Sequence, residues 1–189
     1  MKANEIRYLL QKHYINTKND NSIHIWKELQ ICNGRSSVDL AVLSNSLNAF
    51  EIKSDCDTLT RLPRQIESYN RVFDYIIIVT GEAHLKKVKN IVPAFWGIWT
   101  LTIVDGKITR NVIRKEDKNT EKDAFSIAQL LWKEEILDLL KRHSLHKGMS
   151  TKRKWLLWEF LANKFSISEL TEEVKFYLTK RENWKIIDK

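Results

Sequence analysis

Apolar positions along the first half of the chain change period repeatedly, and each change marks an element. Ile6, Leu9 and Leu10 recur at helical spacing within residues 4–14, ahead of a polar run at 16–22, and predict a first helix. Residues 23–32 read as a strand. Asn33-Gly34 follows, the strongest short hairpin signal, so residues 36–43 read as a second strand and 47–53 as a third. Residues 55–62 form a polar connection, with Pro63 suited to the first position of a helix running to about Phe73. The continuous apolar run at 74–80 predicts a buried central strand. An amphipathic helix at 82–91 stops before Pro93, and strands at 96–104 and 107–113 flank the hairpin dipeptide Asp105-Gly106.

Beyond that point the pattern turns helical. Residues 115–122 are charged and featureless and read as a linker between a mixed α/β part, 1–114, and a helical part, 123–189. One long helix is expected over 123–143 and a tryptophan-rich one over 151–163. Ser166 opens a third helix, to about Arg181, with Glu169 completing a capping box, Phe165 placed to staple onto Leu170, and Leu170, Val174 and Leu178 on one side.

Composition narrows the class. At 189 residues, 43% hydrophobic and 30% charged, the chain suits a soluble globular protein with a sizeable core. No run approaches the roughly 20 apolar residues of a membrane span, and the opening residues lack a signal-peptide core, so a cytoplasmic address is expected. Cys32 and Cys56 read as reduced, unpaired thiols. The net charge of +8 is uneven: residues 141–189 hold 12 Lys/Arg against 6 Asp/Glu. Such a tail suits a polyanion, or a helical surface kept soluble by lysines.

Turn geometry connects this pattern to chemistry. With Asn33 and Gly34 as a two-residue loop, Cys32 faces Arg35 and Glu28 faces Asp39. A three-residue loop of Ser44, Asn45 and Ser46 then places Asp39 opposite Glu51. Glu28, Asp39, Glu51 and Lys53 would share one face, because residues two apart in a strand point the same way. Directly opposed like charges destabilise a sheet, and three acids on one patch call for a cation or a proton. Oxygen ligands of this kind suit Mg²⁺ or Mn²⁺. A Glu-x-Lys triplet alone is weak, and an exposed strand face with alternating charges is the ordinary explanation; the in-register acids argue for metal-assisted phosphodiester hydrolysis.

These residues resemble the PD-(D/E)XK nuclease superfamily. The run Arg35-Ser-Ser-Val-Asp39, then Glu51-Ile-Lys-Ser-Asp-Cys-Asp-Thr-Leu-Thr-Arg-Leu-Pro-Arg-Gln65-Ile-Glu-Ser-Tyr69, resembles a bacterial and phage family within it. The resemblance implies a restriction-endonuclease-like αβββαβ core with a mixed sheet, extended here by a β-hairpin and a C-terminal helical bundle. It implies Asp39 and Glu51 as metal ligands, the backbone carbonyl of Ile52 as a third, and Lys53 as the catalytic lysine. Gln65 and Tyr69 match the Gln-x-x-x-Tyr of the RecB-like branch and, at i and i+4, share a helix face that can reach the acids. Their ordinary reading is a surface amide and a half-buried tyrosine. Glu5 and Glu28 compete for the additional acid of the superfamily, and the hairpin register favours Glu28. Arg35, Asp55, Asp57 and Arg61 lie at the edges of the site, gripping phosphate or capping the turn into the helix.

Lys152, Arg153 and Lys154 precede Trp155 and Trp158, a mixture compatible with nucleic-acid binding, although tryptophans at this spacing more often pack in a core. The leading expectation is a Mg²⁺- or Mn²⁺-dependent deoxyribonuclease of bacterial or phage DNA processing or defence. Its rivals are a catalytically silent nucleic-acid-binding or regulatory module and a toxin-like ribonuclease. Oligomeric state is not encoded in any of these patterns.

Overall fold

A computed structural model describes residues 5–8, 10, 23–104 and 107–181. Six strands form one mixed sheet in the order β1 (His24–Ile31), β2 (Ser36–Leu43), β3 (Leu47–Lys53), β4 (Tyr75–Thr80), β5 (Gly97–Val104) and β6 (Lys107–Arg114). The first three form an antiparallel meander. β3, β4 and β5 are parallel, as their helical crossovers α1 (Leu62–Asn70) and α2 (Glu82–Ile91) require, and β6 returns antiparallel. The protein is thus an α/β fold. No described helix is long and apolar enough to cross a membrane, and both cysteines are free.

Both registers deduced for the meander are present. Asn33 and Gly34 take φ of 56° and 80°, the left-handed pair a tight hairpin turn needs, and Leu29 faces Val38. The three-residue loop sets Leu43 against Leu47 and Leu40 against Phe50. Asp105-Gly106 lies outside the described residues, but Val104 faces Lys107 as a two-residue connection demands. Only part of the expected first helix is described: residues 5–8 and 10 are helical.

The sheet separates two apolar layers. Leu40, Val42, Phe50, Ile52, Ile77, Val79 and Trp99 face Ile6 and Leu10 on one side. Ala41, Ala49, Ile76 and Ile78 face the larger layer, which includes Leu62, Tyr69 and Val88 from the crossover helices. That layer continues without a break into α3 (Ala124–Ala128), α4 (Lys133–Arg142), α5 (Lys154–Lys164) and α6 (Ile167–Lys180).

Three expectations need correction. The helix expected over 123–143 is two helices, because an unbroken 3.6-residue period would carry the stripe from Ile127 onto Glu134, whereas the break turns Ile136, Leu139 and Leu140 inward. Asp123 caps α3 by accepting the Ser126 N–H at 2.7 Å, and Glu135 caps α4 by accepting the Trp132 N–H at 2.7 Å. The 115–122 stretch is a packed strap rather than a featureless linker: buried Asn119 donates to the carbonyls of Asn70 and Phe73, both at 2.7 Å, and Lys122 pairs with Asp74 at 2.6 Å. The tryptophan helix starts at Lys154, with Trp158 buried in the core and Trp155 50% exposed. α6 follows its signals: Ser166 accepts the Glu169 N–H at 3.2 Å while Glu169 accepts the Ser166 N–H at 2.8 Å.

Candidate functional site

Glu51 and Lys53 leave the carboxyl end of β3 on the face covered by α1, and both are buried, with 1% and 5% of their surface exposed. Lys53 Nζ donates to Glu51 Oε1 at 2.6 Å and to Gln65 Oε1 at 3.1 Å. Gln65 Nε2 donates back to Glu51 Oε1 at 2.7 Å, and the Tyr69 hydroxyl meets Glu51 Oε2. Gln65 and Tyr69, one helical turn apart on α1, thus converge on the same carboxylate from above the strand.

Proton bookkeeping in this cluster is informative. The Tyr69 hydroxyl has one hydrogen and two acceptors, Glu51 Oε2 and the Ser37 carbonyl at 2.8 Å. It can donate to one of them at a time, and the Glu51 oxygen is the nearer. Burial, with the Asp39 charge close by, pushes the Glu51 carboxyl above the usual carboxylate range, against the pull of Lys53 and Tyr69. The Tyr69 phenol is pushed well up by burial and by Glu51.

Asp39 stands where the β2–β3 ladder ends. Its Oδ2 accepts the Ile52 N–H at 2.9 Å, tying it to the strand that carries Glu51, and its Oδ1 accepts from Arg7 Nη2 at 2.8 Å. Arg7 was not foreseen. No sequence signal marks it beyond one cation on the first helix, yet it links Asp39 to Glu28, whose carboxylate it meets at 3.3 Å.

Glu28 departs from the expected shared face. The β1–β2 register is the one deduced, but Glu28 adopts φ of 53° and drops out of the ladder; its side chain is 66% exposed. A parity argument holds only while the backbone stays extended, and a left-handed residue breaks it. Glu5 is exposed. Among the described residues, no three His, Cys, Asp or Glu side chains form a group able to hold a metal ion.

The peripheral residues divide. Asp57 Oδ2 accepts both the N–H and the hydroxyl of Ser54, at 2.7 and 2.6 Å, and so fastens the turn after β3. Asp55 accepts the Ala83 N–H at 3.3 Å and packs on Gly81, where a Cβ would come within 1.9 Å of its Oδ1. Arg35 and Arg61 are exposed, as are Lys152 and Arg153. Lys154 lies over the Trp158 ring at 4.9 Å.

The donor chemistry fits a hard divalent cation: Asp39 and Glu51 are oxygen donors, electrostatically coupled, and a cation would offset the burial, and after it the Asp39 repulsion, that raise Glu51. In this arrangement the Arg7 guanidinium and the Lys53 ammonium meet that need.

The sequence matches the family described as "Bacteriophage P4 protein cII" over residues 1–187. It is 29% identical over 150 residues to a protein of Enterobacteria phage P4 named "Protein cII", an alignment covering 79% of this chain and 56% of that relative. The chain therefore spans little more than half the length of the curated relative it matches. No solved structure matches.

Proposed function

The chain belongs to the bacteriophage P4 protein cII family, and from that premise we propose that it is a PD-(D/E)XK-type nuclease that hydrolyses phosphodiester bonds of DNA in phage DNA processing or defence. One observation carries the reading: Glu51, Lys53, Gln65 and Tyr69 close on one another beside Asp39 at the carboxyl ends of parallel strands. Asp39 and Glu51, with the Ile52 carbonyl, would hold Mg²⁺ or Mn²⁺. The chemistry supplied by that cation is Lewis-acid stabilisation of the scissile phosphate and a lowered pKa for water.

The chain's own groups do the rest. Lys53 places a compact positive charge beside the acids, suited to stabilise negative charge on phosphate or to move a proton at the attacking water. Gln65 holds Lys53 and Glu51 at a fixed separation by accepting from one and donating to the other. Tyr69 anchors the far oxygen of Glu51. Incubating the purified chain with DNA and Mn²⁺, beside Glu51→Ala and Lys53→Ala, tests this: cleavage by the wild type alone is expected, and equal cleavage by all three removes the proposal.

A second reading has its own support. Each carboxylate oxygen of Asp39 and Glu51 already meets a protein partner, which suits a silent core that binds or regulates nucleic acid without cutting it. DNA binding that survives both chelator and loss of Glu51, with no cleavage, favours it.

A further inference from the structure

Between the outer edge of β1 and the elbow joining α3 to α4 runs a groove of about 400 Å³, separate from the Glu51 cluster. β1 is a terminal strand of the sheet, so its outer flank pairs with no other described strand. Across from it stands Trp132, 55% exposed, beside Lys154 at the first turn of α5. The indole is braced: the Arg181 guanidinium lies 4.2 Å from its ring centroid and is itself fixed by Glu135 and by the Leu130 carbonyl, both at 2.6 Å. Trp26 and Leu29, partly buried against the core, supply apolar floor.

We propose that this groove binds an unpaired nucleic-acid strand and leads it to the candidate site, the second half of which rests on the nuclease reading above. Three features select this occupant. A held, exposed indole offers a stacking platform to any base, and a duplex hides the base faces that would use it. Lys27 and Lys154 line the groove beside one acid, Glu28, while Arg181 is already paired with Glu135, and exposed Lys152 and Arg153 precede Lys154, giving the sign a phosphate backbone needs. Position is the third: Glu28 belongs both to the groove and to the Arg7 link that ends on Asp39. An extended peptide pairing with the β1 edge is the rival occupant. Glu28, at φ of 53°, interrupts the extended backbone mid-strand and spoils the continuous ladder such a peptide requires.

The test is fluorescence anisotropy on the full chain in chelator, with a labelled deoxythymidine oligomer of about 20 nucleotides, a duplex of equal length, an oligouridine and, as competitor, polyglutamate. Tighter binding of the single strand than the duplex is expected, weakened about 10-fold by Trp132→Ala and largely kept by Trp132→Phe, in line with the value of one base stack. Oligouridine binding with the same Trp132 dependence also supports the groove, because stacking ignores the sugar. Duplex binding as tight as the single strand, indifference to Trp132→Ala, or equal competition by polyglutamate overturns it. A parallel cleavage assay in Mn²⁺, with wild type beside Lys53→Ala, separates the two proposals: wild-type binding that depends on Trp132 with no cleavage by the wild type removes the nuclease and leaves the groove. Cleavage lost in Lys53→Ala, with binding unchanged in Trp132→Ala, removes the groove and leaves the nuclease.

Discussion

Two lysine–carboxylate pairs lie beneath the surface with the same 2.6 Å separation, Glu51 with Lys53 and Asp74 with Lys122. Asp74 and Lys122 are 48 residues apart in sequence. The pair fastens the 115–122 strap to the start of β4, while Asp74 also accepts the Leu47 N–H at 2.8 Å and Lys122 reaches Thr171 of α6. Every one of its contacts joins segments that must meet for the fold to close. Glu51 and Lys53 are two residues apart on one strand, so their own pairing joins no distant segments, and it is Gln65 and Tyr69 of α1 that meet them. Burying an ion pair costs desolvation that its attraction barely repays, so a pair that by itself joins no distant segments supports the chemical task proposed above.

The largest effect that would sharpen this contrast is on catalysis. Lys53→Ala is expected to lower DNA cleavage by about 10²–10⁴-fold, the range for losing a positioned proton-transfer group. Circular dichroism should show the variant folded. A variant that cleaves normally would place Lys53 in the same structural category as Lys122.

Lys122→Met is expected to act in the opposite way. It leaves Asp74 buried without its cation and should destabilise the protein by about 3–5 kcal/mol, read from urea unfolding, with cleavage per folded molecule unchanged. Loss of activity at intact stability would break the comparison.

Much of the site's frame was legible from local signals, and what was not depends on distant contacts. The turn at Asn33-Gly34 and the three-residue loop after Leu43 fix the β1–β2–β3 register, because loop length alone sets which residues oppose. The i, i+4 spacing of Gln65 and Tyr69 likewise foretold that both reach one point. The strap was illegible because Asn119 finds its partners, the carbonyls of Asn70 and Phe73, more than 40 residues away. The break before Trp132 shows in sequence only as the slip of the stripe onto Glu134, and it goes unread because Ile136, Leu139 and Leu140 keep helical spacing among themselves and look like a continuation. Arg7 and the twist at Glu28 belong together: alternation assigns Glu28 to a face only if its φ is extended, and no neighbour in sequence announces that it is not.

A smaller effect concerns pH. Glu51 in the folded protein holds its proton more tightly than in the unfolded chain, where it takes the ordinary value near 4.3. The folded state therefore binds more protons between that value and the raised one, and its stability falls as pH rises through the window. Glu51→Gln lacks this component. Thermal midpoints of wild type and variant, followed from about pH 4 upward, should diverge in the variant's favour as pH rises across the window and then run parallel. Parallel curves throughout would mean that Lys53 and Tyr69 fully offset burial.

The smallest effect falls on Glu28, the acid that the hairpin register favours as the superfamily's additional one. Its carboxylate is 66% exposed and meets Arg7 at 3.3 Å, so the pair contributes about 0–1 kcal/mol. Glu28→Ala should leave cleavage within about twofold and stability within that same margin. Glu28→Gly should be the more stable of the two by about 1 kcal/mol, since a φ of 53° costs a residue with a Cβ and not glycine. If Glu28→Ala instead fell as far as Glu51→Ala, the carboxylate would have to swing inward and displace Arg7 from Asp39 during turnover. The left-handed residue would then be the hinge that delivers it, and the division between a β3 proposed to be catalytic and a merely bordering β1 would no longer stand.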